Sequence, residues 1–231
     1  MKKIFFAILL AALAVVPAAA HEEIPVVEIF GGYSLLKLGA SNEDIRSFQE
    51  EIYPWGGVWR DDKSSFLLNR GGVLSFAFNI NEYFGIVVDT RYNQGDLTEG
   101  IFEFESPELQ IDVRTPFVIG IKNASALAGP RISYRNLLDE RATVFFHTLA
   151  GLDGWRLNGD FTIAGERLNL KRNKYGYGIV IGGGFDVNVH ERIAVRVIQA
   201  DYYVTRQMER RINNMKLSFG IVFRLGERVL W

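Results

Sequence analysis

From Val27 onward, apolar and polar residues change places one at a time along the chain. Leu217, Phe219, Ile221, Phe223 and Leu225 alternate with Lys216, Ser218, Gly220 and Arg224. Such a period places successive side chains on opposite faces of a β-strand. The pattern recurs at 27–36, 72–80, 83–92, 117–135, 142–155, 175–189 and 192–205, and closes at 215–225, which predicts eight strands. Val27, Ile29, Tyr33 and Leu35 share one face of the first strand, and Glu28, Phe30 and Ser34 the other. Phe84, Ile86, Val88 and Tyr92 oppose Gly85, Val87, Asp89 and Arg91 in the third. No segment after residue 20 has a helical period.

The connections alternate in length. Residues 39–69, 93–116, 156–174 and 206–214 are long polar stretches, and the links at Asn81-Glu82, 136–141 and His190-Glu191 are short. Part of the second stretch, Ile101 to Glu105, still alternates, which predicts a hairpin prolonging its two strands. Short turns at one end and long connections at the other are the pattern of a transmembrane barrel. Each strand has the ~9–11 residues needed to cross a bilayer at a tilt. In hydrocarbon every backbone N–H needs a partner, so the sheet must close. The expected fold is all-β: an eight-stranded antiparallel up-and-down transmembrane β-barrel. Tyr33, Tyr92, Trp155, Tyr175 and Tyr202 are expected in an aromatic girdle near the long connections. Tyr83, Phe84, Tyr134 and Phe185 are expected in a second one near the short turns.

Two places strain the pattern. Pro130 lacks a ladder donor in a fold without a free edge, so a bulge is expected there. In 192–205, Arg196, Gln199 and Asp201 all belong inside, and strict alternation forbids this. One extra residue near Val197-Ile198 restores both halves.

Residues 1–20 read as a cleaved signal peptide. Lys2 and Lys3 precede an apolar run from Ile4 to Val16, and Ala18-Ala19-Ala20 supplies the cleavage site. Residues 21–231 are then the barrel domain, beginning at His21. Cleavage takes the formal charge from −1 to −3, so no positive excess points to nucleic acid. The hydrophobic fraction is 48%, yet the mature chain has no apolar run of the ~18 residues a membrane helix needs. An alternating barrel hides its lipid face in such an average. Cysteine is absent and the three histidines are scattered, so no disulfide or metal constellation is expected. No cofactor is expected, because the glycines match neither phosphate-loop spacing.

The stretch Ser218 to Leu225 resembles the C-terminal β-signal of bacterial outer-membrane barrels, with Gly220, Phe223 and Leu225 in place. The chain departs from that pattern by continuing to Trp231. Residues 21–231 as a whole resemble the small outer-membrane barrels of the OmpA/OmpX-like type, the outer membrane protein beta-barrel domain family. No C-terminal peptidoglycan-binding domain of the OmpA type is visible. The resemblance implies the outer membrane of a Gram-negative bacterium, with both termini periplasmic. It also implies contact with outer-membrane lipid, lipopolysaccharide and the barrel assembly machinery, and a monomer.

The inward positions carry Glu28, Asp89, Asp153, Asp186 and Asp201 against Arg91, Arg131, Arg135, Arg196, Lys216 and Arg224. Eight strands leave room for little more than side chains, and a buried charge needs a partner. A mutually neutralising network that fills the lumen is therefore expected, with Asp186, Asp201, Arg196 and Arg224 as neighbours. Gly178, Gly182 and Gly184 also alternate inward, and are expected to make room for long arginine side chains opposite. His147 is the one histidine within a strand. Lipid A deacylases use a His/Ser/Glu set on a barrel of this shape, but here the neighbour is Thr148 and His147 points inward, so a structural hydrogen bond is expected. No catalytic residue is assigned.

The long connections differ in charge. Stretches 39–69 and 93–116 hold twelve acids and four bases, whereas 156–174 and 206–214 hold eight bases and three acids. These could neutralise one another across the rim, or the basic side could meet lipopolysaccharide phosphates or another anionic partner. Tyr53, Trp55 and Trp59 make 39–69 a candidate for an extracellular partner, together with 93–116. The sequence reads as a non-enzymatic barrel with a filled polar lumen, serving envelope structure or surface interaction. A narrow porin-like channel and a lipid-modifying enzyme are the alternatives.

Overall fold

The computed structural model describes residues 23–39, 58–61, 68–106, 111–138, 141–163, 166–207 and 210–229. The signal segment and most of 39–69, with Tyr53 and Trp55, lie outside the described residues. The strands are β1 (Glu23–Lys37), β2 (Val58–Asp61), β3 (Leu68–Asn79), β4 (Phe84–Ser106), β5 (Ile111–Leu137), β6 (Ala142–Ile163), β7 (Glu166–His190), β8 (Ile193–Gln207) and β9 (Arg210–Val229). Each long strand pairs antiparallel with its sequence neighbour, and β1 pairs with both β3 and β9, which closes the sheet. The result is an eight-stranded antiparallel barrel. The short β2 lies outside that ring and pairs with β4 at Gly100–Glu103, beyond the last β3–β4 pair at Arg70↔Gln94.

Alternation becomes geometry along every wall strand. Lys216, Ser218 and Val222 are buried in the interior, and between them Leu217, Phe219, Ile221 and Phe223 are exposed on the outer face. The exterior therefore carries the large apolar side chains, with Phe78, Ile86, Ile132, Phe146, Ile179 and Ile181 also about half exposed. In water this surface would be costly, at roughly 25 cal/mol per Å² of apolar area. Against lipid it is the stable arrangement, and closure of the sheet lets the backbone groups of each wall strand pair on both sides.

β8 has the expected bulge. Arg196 pairs with Gly220 and Gln199 with Ser218, so Val197 and Ile198 together oppose one residue of β9. Both of these face outward, while Arg196, Gln199 and Asp201 all lie inside. Pro130 corrects the other expectation. The β5–β6 ladder leaves out Gly129 and Pro130 and resumes at Arg131↔His147 with no change of register. The missing donor opens a gap in the ladder and does not demand an extra residue, because Pro130 still points outward in phase. Gly129 allows the backbones to close up there, since a Cβ would meet the Thr148 carbonyl oxygen at 2.0 Å.

The long stretches are another correction. β4 and β5 pair out to Ser106↔Ile111, as the alternation at 101–105 predicts. But 156–174 is also a ribbon, paired to Ile163↔Glu166, and β8 and β9 pair out to Gln207↔Arg210. At 27 and 25 residues, β5 and β7 have more than twice the length needed to span hydrocarbon. Past Leu225 the chain continues as strand, with Pro25↔Glu227 and Glu23↔Val229. Gly226 takes φ +69° there, a conformation glycine adopts without steric cost.

Tyr33, Tyr92, Tyr175 and Tyr202 are exposed toward the ribbon end, and Tyr134 is exposed near the turns. Trp155 does not join them: it is 5% exposed and faces the lumen. Parity requires this, because Asp153, two residues earlier, is inside.

Candidate functional site

Charge from seven of the eight wall strands converges in the lumen; β3 contributes Val73, Ser75, Ala77 and Asn79. Glu28, Asp89, Arg91, Arg131, Asp153, Asp186, Arg196, Asp201 and Lys216 are all buried. Arg135 and Arg224 keep 11% and 10% of their side-chain surface accessible. Inward positions on different strands meet in levels along the barrel axis.

Nearest the short turns, Glu28 accepts from Arg131 Nη1 at 2.6 Å and Arg135 Nη2 at 3.4 Å, with Arg224 Nε at 3.9 Å. Arg135 also donates to the Glu82 carbonyl, and Arg224 Nη2 donates to the Thr143 hydroxyl at 3.3 Å. One level in, Arg196 forks onto Asp186 at 2.8 and 3.0 Å and donates to Gln199 Oε1 at 2.7 Å. Its guanidinium lies between the rings of Phe30 and Phe145, at 4.1 and 4.2 Å from their centroids. Arg131 also stacks on Phe145. Bidentate pairing and stacking suit the planar guanidinium and hold it in one orientation.

Above this level Arg91 bridges two strands. It donates to Asp89 at 2.6 and 3.2 Å and to Asp201 at 2.5 Å. His147 Nε2 sits 2.9 Å from Asp201 Oδ1. Gln199 Nε2 donates to Asp201 at 2.9 Å, which links this level to Arg196. Nearest the ribbons, Asp153 accepts from Asn123 at 2.7 Å and from the Trp155 and Tyr203 donors. Lys216 Nζ lies 3.6 Å from the centre of the Tyr203 ring and donates to Ser125 at 3.4 Å. Leu36, Leu38, Ile121, Leu127, Leu149 and Val180 pack among these groups.

The expected neighbours sort differently. Arg196 pairs with Asp186, but it reaches Asp201 only through Gln199. Arg224 turns to Glu28 and Thr143. The inward glycines do not face arginines directly. A Cβ on Gly178 would meet the Tyr203 ring, on Gly182 an Asp201 oxygen, and on Gly184 the Phe145 ring. They make room for the groups that hold the cations. His147 joins the network through Asp201, and its neighbour Thr148 faces outward. Tyr203, Trp155, Phe30 and Phe145 escape a reading that counts charges, although parity alone puts them inside. Asn123 and Ser125, which with Ala124 spell a glycosylation sequon, are both buried in the lumen.

Outside, strand order sets the acidic β4–β5 ribbon directly beside the basic β6–β7 ribbon, joined at Phe117↔Phe161. Lys171, Arg172 and Arg206 are exposed, and Arg156 donates to Asn173 at 3.0 Å.

A closed antiparallel barrel with apolar side chains outside and ion pairs inside is a small transmembrane β-barrel. No protein-family model matches the chain. No curated protein matches it in sequence either. Among solved structures, Ail, the attachment invasion locus protein of Yersinia pestis, is similar at 17% identity over 87% of this chain and 99% of its own, with a TM-score of 0.47. OprG from Pseudomonas aeruginosa is similar at 9% identity over 88% and 97%, with a TM-score of 0.46. Neisserial surface protein A is similar at 10% identity over 90% and 100%, with a TM-score of 0.44. At those scores none of the three bears on what this chain does, and the barrel stands on its own strand pairing.

Proposed function

We propose that the protein is a non-enzymatic integral barrel of a Gram-negative outer membrane, serving envelope structure or surface interaction. The carrying observation is the filled lumen. Ion pairs at 2.5 and 2.8 Å, stacked guanidinium groups and apolar side chains occupy successive levels between the turns and the ribbons. Eight strands enclose about the volume that side chains fill, so little is left for a water path. Contact with the surroundings then falls to the outer ribbons and the lipid face. The basic ribbon at 156–174 suits lipopolysaccharide phosphates, and the acidic stretches 39–69 and 93–116 suit an extracellular partner. The barrel acts as a monomer with both termini periplasmic, after removal of residues 1–20 and insertion by the barrel assembly machinery.

Two measurements on one preparation test this reading. Planar bilayers carrying the folded barrel should show no steady conductance, and lipid A from cells expressing it should keep its mass. Steady ion-selective current would establish the channel in its place. A changed lipid A mass would establish the enzyme.

A further inference from the structure

Charge in the described lumen is not balanced level by level. Toward the short turns, Arg131, Arg135, Arg196 and Arg224 share two carboxylates, Glu28 and Asp186. Asp186 is engaged by Arg196 through both oxygens. Glu28 thus meets three guanidinium groups, those of Arg131, Arg135 and Arg224. Four of their nitrogens are buried without a hydrogen-bond partner: Arg131 Nε and Nη2, Arg135 Nε and Arg224 Nε. An unpaired buried cation and an unmade buried donor are each costly. Lipid cannot supply the missing charge, because the strand wall is closed between these side chains and the bilayer.

We propose that this cluster is a binding site for a small free oxyanion of the phosphate type. The open groups are all donors and all cationic, which selects an anion over a cation or a neutral guest. A planar guanidinium fork matches two oxygens of one ligand, which favours phosphate or sulfate over chloride. Arg135 and Arg224 are the partly accessible members, so the anion enters from the turn end. Glu28 competes for the same donors and sets the affinity. The site is additional to any surface role, since nothing in it depends on what the outer ribbons contact.

The test uses the full-length barrel folded in an uncharged maltoside detergent and titrated with inorganic phosphate, read by calorimetry. Saturable binding is expected at one phosphate per barrel. Arg135→Gln and Arg224→Gln should each weaken it by roughly tenfold or more, the worth of a charge-assisted bond. Arg135→Lys should recover part of the loss by restoring charge without the fork. Glu28→Gln should tighten binding, which a merely structural role for these residues would not do. Lys171→Gln on the outer ribbon should change nothing. Absence of saturable binding overturns the site. So does an affinity indifferent to both Arg135→Gln and Arg224→Gln, or one that follows Lys171. Each variant's fold is checked by its shift in electrophoretic mobility on boiling. Should Glu28→Gln fail to fold, the two arginine variants and the lysine rescue decide alone.

Discussion

Toward the ribbons, Arg91 is held by two carboxylates, Asp89 at 2.6 Å and Asp201 at 2.5 Å, and Asp201 has His147 and Gln199 as further partners. Toward the turns the ratio is reversed, with Glu28 serving three arginines at 2.6, 3.4 and 3.9 Å. One lumen thus contains a network saturated in carboxylates, although Arg91 Nη1 is still without a partner, and one undersaturated in them. Among the described residues the ribbon-end half carries Asp89, Asp153 and Asp201 against Arg91 and Lys216, and the excess of cations lies in the other half. Near-neutrality of a whole interior does not imply neutrality at each level. What matters energetically is which groups share a level, because a low-dielectric interior makes each unpaired charge costly locally.

The largest expected effect breaks the saturated end. Arg91→Ala leaves Asp89 and Asp201 without their cation, and should cost about 3–5 kcal/mol of barrel stability. A urea midpoint equal to wild type would mean that water, and not Arg91, neutralises them. A control of similar size lies on the opposite face of the wall. Phe219→Arg at mid-bilayer should cost about 2–4 kcal/mol, measured by urea titration in lipid vesicles. An unchanged midpoint there would show that the exterior is not lipid-facing.

Tyr203→Phe removes one donor to Asp153 but keeps the ring over Lys216. A loss of about 1–3 kcal/mol is expected, less than for Arg91→Ala. A larger loss would transfer the main stabilising role in the ribbon-end half from Arg91 to Tyr203. The smallest effect belongs to the undersaturated end. Arg135 is partly accessible and surrounded by like charge, so Arg135→Gln should cost only about 0–1 kcal/mol in phosphate-free buffer. A loss as large as that of Arg91→Ala would erase the difference between the two ends.

The sequence by itself determined the faces. A strand's side chains have a period of two, so a residue's side of the wall follows from parity with any neighbour whose side is known. All eleven charged inward residues, the bulge at Val197-Ile198 and the outward Phe219 and Phe223 follow from this alone. Trp155 follows from it too, once parity is preferred over the habit of aromatic residues at interfaces. Parity says nothing about height. Which inward side chains meet depends on the register of each strand against the next, summed around the closed barrel. That sum places Arg91 of β4 against Asp201 of β8, and Arg131 of β5 against Glu28 of β1. No local pattern encodes those distances. The ribbon at 156–174 was legible by the same parity rule, since Leu157, Phe161 and Ile163 alternate with Asn158, Asp160 and Thr162, and Leu168 shares a parity with Leu170; the hairpin at 206–214 was not, because its residues are nearly all polar. Only closure of the whole wall decided that two carboxylates would hold Arg91 while Glu28 alone met three arginines.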